Sequence, residues 1–162
     1  MSLTTEYKMK TYNIFPLSVY KDKVDIDKNE KEILIKEILL SQNESEKNRS
    51  KKNAWTGDIN GQEFLFRKKI FNNLKNKISL KINEYVSFLG LNLDLLNIYY
   101  QRSWATVTKE LQNIEFHKHW QSNISFAYYL LKPENSGDII FKNENPQNAI
   151  VNNIFEKDKI SK

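Results

Sequence analysis

At Gly90 the hydrophobic pattern of the chain changes period, and that change limits the architectures open to it. From Glu63 to Leu89 the apolar positions Phe64, Phe71, Leu74, Ile78, Ile82, Tyr85 and Leu89 recur largely every three or four residues. That spacing places them on one stripe of a long amphipathic helix. Gly90 follows as the residue suited to a left-handed stop after the last turn. Beyond it Ile98, Tyr100, Arg102 and Trp104 alternate with Tyr99, Gln101 and Ser103, the two-residue period of a strand. A further alternating or continuous run spans Ile124 to Leu131, and a short strand Asp138-Ile-Ile-Phe141 follows a turn through Pro133 and Gly137. Helices first and sheet second predict an α+β fold, with a helical part over about 27–90 and a β part over about 94–142.

The rest of the chain fits around that plan. Tyr12-Asn-Ile-Phe-Pro-Leu-Ser-Val-Tyr20 is aromatic and β-branched with an internal proline, which suits an edge strand. Asp27 with Glu30 three residues on makes a capping box before the apolar cluster Ile33, Leu34, Ile38 and Leu39, so a helix of about three turns starts there. Residues 41–53 are polar without apolar anchors and read as a surface loop. At 162 residues the chain is the size of a single domain, 1–162. Its first ten residues lack the apolar core of a signal peptide, and no window reaches the roughly 20 apolar residues of a membrane span. A soluble, cytoplasmic protein with no membrane partner is the expectation.

A net charge of +5 raises the question of a nucleic-acid partner. The composition argues against one. Lysine supplies most of the positive charge, arginine occurs only at Arg49, Arg67 and Arg102, and phosphate and base readers favour the arginine fork. With no cysteine in the chain, disulfides and thiolate metal sites are excluded, and any protein metal site must use histidine, carboxylate or carbonyl ligands.

The only two histidines are His117 and His119. In an extended segment alternate side chains share a face, so both imidazoles can point into one pocket. Imidazole suits iron, copper, nickel and zinc, and two histidines with one carboxylate make the facial triad of non-haem iron oxygenases. The competing reading is a pair of hydrogen-bonded surface imidazoles beside Trp120.

Downstream of the pair lie Ser125-Phe-Ala-Tyr128-Tyr129-Leu130, the turn Pro133-Glu-Asn-Ser-Gly137, and Asp138-Ile-Ile-Phe141. This succession resembles the prolyl-hydroxylase-like branch of the iron(II)- and 2-oxoglutarate-dependent oxygenases, and within it the bacterial and phage members that carry His-x-His. Phe15-Pro16 to Tyr20, Trp55-Thr-Gly57 and Trp104 match further elements of that group, so the resemblance spans almost the whole chain. Its most specific part is Glu115 to Phe141.

The resemblance implies N-terminal helices packed on a partial double-stranded β-helix, or jelly roll. It implies Fe(II) and 2-oxoglutarate as cofactors, His117 as first iron ligand, and His119 at the position usually held by a carboxylate. Ser125, Tyr129 and Tyr128 become candidates to contact 2-oxoglutarate. Alternation lets only one parity line the pocket, with Ser125 and Tyr129 the favoured set; core aromatics are the other reading of the tyrosines. The implied activity is hydroxylation of an unidentified protein or small molecule. Members of the family continue to a distal histidine and an arginine that clamps the far carboxylate of 2-oxoglutarate, whereas no histidine follows His119 here and no arginine follows Arg102. The expectation is therefore an incomplete or inactive site, with Glu115 or Asp138 as substitute ligands and Lys109, Lys118 or Lys132 as substitute anion partners. A non-catalytic jelly-roll binding module is the second reading, a basic nucleic-acid binder the third, and an unpaired sheet edge makes self-association plausible.

Overall fold

The computed structural model describes residues 18–45, 53–59 and 61–142. The expected edge strand at 12–17, part of the polar loop and the tail after 142 lie outside the described residues. Two helices and one small antiparallel sheet make the fold α+β: α1 (Lys28–Ser45), β1 (Trp55–Thr56), α2 (Asn72–Phe88) and β2 (Thr106–Val107). The chain divides into two compact units, one comprising 18–45 and 55–107, the other 53–54 and 108–142. No helix among the described residues is long and apolar enough to cross a membrane.

α1 starts where the capping box predicts. The Asp27 carboxylate accepts from the Glu30 N–H at 2.8 Å, satisfying one of the donors that a first turn leaves without a helical partner. The Glu30 carboxylate does not return the bond to Asp27; it accepts from the Asn73 side chain at 2.6 Å, tying α1 to the start of α2. The helix runs on to Ser45, into the stretch expected to be loop. The reason is polar burial: Ser41 and Gln42 are buried beside Leu34, and Ser45 accepts the Trp55 indole N–H at 2.8 Å. Only Leu34 of the expected apolar cluster is fully enclosed, while Ile33, Leu39 and Leu40 stay exposed.

The expected long helix from 63 is shorter than its periodicity. Two 3₁₀ turns, Leu65–Arg67 and Lys69–Phe71, precede α2, and Lys68 between them is extended. Ser103 is bonded here. Its carbonyl accepts from the Leu65 N–H at 2.7 Å and its hydroxyl accepts from the Phe66 N–H at 2.9 Å, which ties this stretch to the extended segment at Ser103. From Phe71 on the stripe holds in part: Phe71, Leu74 and Ile78 are buried as expected, Ile82 and Tyr85 are half-buried, and Val86, outside the expected stripe, is buried. Val86 takes the place expected of Leu89, which is exposed in the last turn. Gly90 ends the helix at φ +77 in a Schellman arrangement, with its N–H on the Ser87 carbonyl at 2.9 Å and the Leu91 N–H on Val86 at 3.2 Å.

The β half departs most from the sequence reading. None of the runs at 98–104, 124–131 and 138–141 forms a ladder among the described residues, and no jelly roll is present there. The paired strands are β1 and β2, with Trp55 opposite Val107 and Thr56 opposite Thr106, extended by the Gly57 N–H on the Ala105 carbonyl at 2.9 Å. A strand needs a partner backbone, and alternation reports only which side chains share a face. Here 98–107 finds its partners in 55–66, so it belongs with the helices. Its alternation also slips, since Ser103 is buried while Arg102 is exposed. Trp55 is 3% exposed, and a Cβ on Gly57 would stand 3.2 Å from its ring, so the Trp-Thr-Gly element is a packing device.

Tyr20 stacks on Tyr85 at 5.6 Å and donates to Glu84 at 2.8 Å, while Lys81 pairs with Asp22 at 2.8 Å and Glu84 at 2.9 Å. The ammonium of Lys81, with the Lys23 N–H and the Tyr20 hydroxyl, pulls the Asp22 carboxyl down to about 2. Bonds to Glu84 and then Asp22 push Tyr20 up to about 12. A depressed carboxylate contributes stability that is present above its unfolded pKa and lost as pH falls through the folded one. Melting temperature should therefore fall between about pH 4 and 2, with part of that slope belonging to Asp22. Lys81→Met should flatten the slope, and 1 M salt should do so too, because the group is solvent-exposed and screened. An unchanged profile in the variant would discard the network as a contributor.

Two substitutions test the core. Phe71→Ala should cost roughly 2–5 kcal/mol in denaturant unfolding, the loss typical of an emptied core site. Ser103→Ala should cost about 1–3 kcal/mol by leaving the Phe66 N–H without its acceptor, and a loss below about 0.5 kcal/mol would show that this N–H finds another partner.

Candidate metal centre

The unit containing His117 and His119 combines a long-range backbone bond, the Ala54 N–H on the Asn113 carbonyl at 3.1 Å, with short-range turns. Residues 108–142 turn at Gln112 onto Lys109, Ser122 onto His119 and Ser136 onto Pro133, each an N–H to a carbonyl three residues back, at 3.1–3.2 Å. Leu111 and Asn135 sit in the left-handed region at φ 62 and 61, inside the first and last of these turns. Asn135 suits that conformation because a short amide side chain tolerates it; Leu111 does not gain that relief. No residue from 108 to 142 is fully buried, and Trp120 is 86% exposed.

The two imidazoles stand on a stretch, 114–119, that pairs with no strand among the described residues. Their ring centres stand 5.0 Å apart and the planes are inclined by 37°. Two imidazoles on one ion, each nitrogen about 2 Å from it, stand with ring centres roughly 4–5 Å apart. His117 Nδ1 lies 2.8 Å from the Glu115 carbonyl oxygen, and His119 Nδ1 lies 3.1 Å from the Ser125 hydroxyl. With both Nδ1 atoms in these contacts, Nε2 would be the coordinating nitrogen on each ring if the pair held an ion.

Of the remaining candidates, Ser125 and the Glu115 backbone touch the pair, and the others have partners of their own. Ser125 contacts His119 itself. Tyr129 is half exposed, with the Lys132 ammonium 5.4 Å above its ring, and Tyr128 is half-buried. Glu115 contributes its backbone carbonyl to His117. Asp138 pairs with Lys132 at 2.7 Å, which holds the lysine above its ordinary range. Lys118 lies 5.5 Å over the Trp120 ring. Among the described residues no three of histidine, aspartate or glutamate come together as a metal-binding group. Among the described residues neither Glu115 nor Asp138 joins the two imidazoles as a third ligand.

Sequence reasoning missed Ser125 as a partner of His119. Its position six residues downstream, just beyond a turn, was the available signal. A second feature it missed is a cleft of about 130 Å³ in the other unit, lined in part by Ser41, Trp55, Gln62 and Lys68, which is small beside ordinary ligand pockets. No protein-family model matches the chain, and neither a curated protein nor a solved structure is significantly similar to it.

Proposed function

We propose that the chain is a domain of the iron(II)- and 2-oxoglutarate-dependent oxygenase type, a double-stranded β-helix in its full form, with His117 and His119 as ligands to a divalent metal. The observation that carries this reading is the pair of facing imidazoles 5.0 Å apart, each with Nδ1 turned to an outer partner. The sequence around them supports it: His-x-His, then Ser125, Tyr128 and Tyr129, then the glycine turn and the phenylalanine run. In that family the iron and 2-oxoglutarate carry out the oxidation, and the protein binds, orients and shields them. The candidates for contact with 2-oxoglutarate are Ser125 and Tyr129, with Tyr128, of the opposite parity, as the alternative. The substrate is a protein or small molecule recognised outside this constellation.

A second reading, a non-catalytic binding module, is favoured by the apolar side chains on the surface of 108–142, Leu131, Ile140 and Phe141 among them. The two readings part on metal and turnover. Anaerobic calorimetry with Fe(II), Co(II) or Ni(II) should give one site per chain in the wild type and none in the His117→Ala/His119→Ala double variant. Equal binding by the two proteins would remove the metal site.

Turnover by this chain is expected to be absent. No histidine follows His119 and no arginine follows Arg102. Within residues 103–162 no arginine offers a bidentate partner for the far carboxylate of 2-oxoglutarate. Succinate formation, followed with iron and ascorbate supplied, should not exceed a metal-free control. Iron-dependent succinate abolished by His117→Ala would show that the two-histidine site suffices.

A further inference from the structure

The run Asp138-Ile-Ile-Phe-Lys142 is exposed at every position, with Ile140 69% and Phe141 61% open to solvent. It contains no turn, helix or left-handed residue. Among the described residues the backbones of Ile139, Ile140 and Phe141 have no hydrogen-bond partner. A β-branched and aromatic run with open N–H and C=O groups is a template for another strand. Its charges say which strand. Asp138 stands two residues before Ile140 and Lys142 two residues after it. Turned end for end about Ile140, the run therefore meets itself with aspartate opposite lysine at both ends. A parallel, in-register partner would instead set Asp138 against Asp138 and Lys142 against Lys142, and like charges directly opposite are unfavourable. Residues 108–142 hold four lysines against four carboxylates, so two copies meet there without net repulsion although the whole chain carries +5.

We propose that 138–142 is a self-pairing edge, on which two copies of the chain join antiparallel about Ile140 into a two-fold symmetric dimer. The pairing needs no metal and stands apart from the oxygenase-type reading. With Ile140 opposite its own copy as a non-hydrogen-bonded pair, Ile139 of each chain and Phe141 of the other exchange both N–H···O bonds, so the bonds fall on the backbone groups that are open in the single chain. Alternation puts Ile139 and Phe141 of both chains on one face and Asp138, Ile140 and Lys142 on the other. The first face gains aromatic and β-branched cross-strand pairs, and the second gains an isoleucine pair with an ion pair at each end. Asp138 already accepts from Lys132 at 2.7 Å through Oδ1, and a carboxylate has acceptor sites for a second ammonium. Lys142, whose ammonium lies 5.9 Å from the Phe116 ring centre, reaches that carboxylate on the other copy. A contact of this symmetry closes on two copies and does not propagate. A patch this small belongs with weak, transient interfaces.

Sedimentation equilibrium of the full chain, run from about 10 μM to about 1 mM to cover weak pairing, should show monomer and dimer and nothing larger. Asp138→Lys leaves lysine at both ends of the run and Lys142→Asp leaves aspartate at both, so each alone should dimerise about 10-fold more weakly or worse. An equimolar mixture of the two variants should regain the dimer as a mixed pair, and so should the double exchange Asp138→Lys/Lys142→Asp. Matching circular dichroism would establish that the variants are folded. The chain has no cysteine, so one introduced thiol reports the register. With oxidised glutathione as oxidant, Ile140→Cys should form an interchain disulfide about 10-fold faster than Phe141→Cys. Position 140 faces its own copy at roughly 4.5 Å between Cα atoms, whereas position 141 is displaced from its copy to roughly 8 Å, beyond disulfide reach. Equal dimerisation by the wild type and both charge variants, a mixture no tighter than its components, equal crosslinking of the two thiols, or growth past the dimer would overturn the pairing. A wild-type chain that stays monomeric to about 1 mM would overturn it too, and slowed amide exchange at Ile139 and Phe141 in that monomer would show that another part of the same chain covers the edge.

Discussion

The first unit depends on one small buried side chain. Ser103 is 8% exposed and uses its backbone on both sides, donating to the Glu63 carbonyl at 2.9 Å and accepting from Leu65 at 2.7 Å, while its hydroxyl accepts from Phe66 at 2.9 Å. These bonds tie 63–66, which leads into a 3₁₀ turn rather than an α-helix, to Ser103 in the extended segment. Tyr100 is then placed edge-on to Phe66 at 4.9 Å, and its hydroxyl meets Ser79 at 2.8 Å on α2. Burial pushes that phenol above its ordinary range, opposed by the bond to Ser79. A residue too small to stand out in a hydrophobicity profile thus couples the turn, the extended segment and the second helix.

That explains which parts of the fold were legible. The cap at Asp27 and the stop at Gly90 are local devices whose partners lie within a few residues, so the sequence displays them directly. The alternating runs are different in kind. Their period marks a pleated surface, but a ladder requires another backbone at the right register, and nothing within the run names it. The true partner of the extended segment is the Trp55-Thr-Gly57 element some fifty residues earlier, where Gly57 admits the indole ring. Burial of Ser41 and Gln42 was likewise invisible, because two polar residues that follow an apolar cluster look like the beginning of a loop.

At the candidate site the pairing of His117 and His119 was readable from their spacing, and the rings stand 5.0 Å apart although no strand forms there among the described residues. A turn at His119–Ser122 follows the pair. The same turn delivers Ser125 to His119, which is why a residue expected to face a co-substrate contacts a ligand instead. Asp138 was unavailable for a reason the sequence also carried: Lys132 lies across the Pro133–Ser136 turn and takes its carboxylate. The chemistry of the site is therefore set by what the short turns bring within hydrogen-bonding distance.

The three tryptophans stand in three environments. Trp55 is enclosed with its indole N–H on Ser45, Trp104 is half-buried with the Arg102 guanidinium 5.2 Å from its ring, and Trp120 is almost fully open to water. Indole emission shifts to the red as water reaches the ring, so the chain carries its own optical labels. The blue edge of the spectrum reports the interior around Trp55, and the red edge reports the surface next to His119. An iodide quencher would darken the second before the first, and following each edge through a denaturant titration would show whether the two units melt as one cooperative block or in sequence.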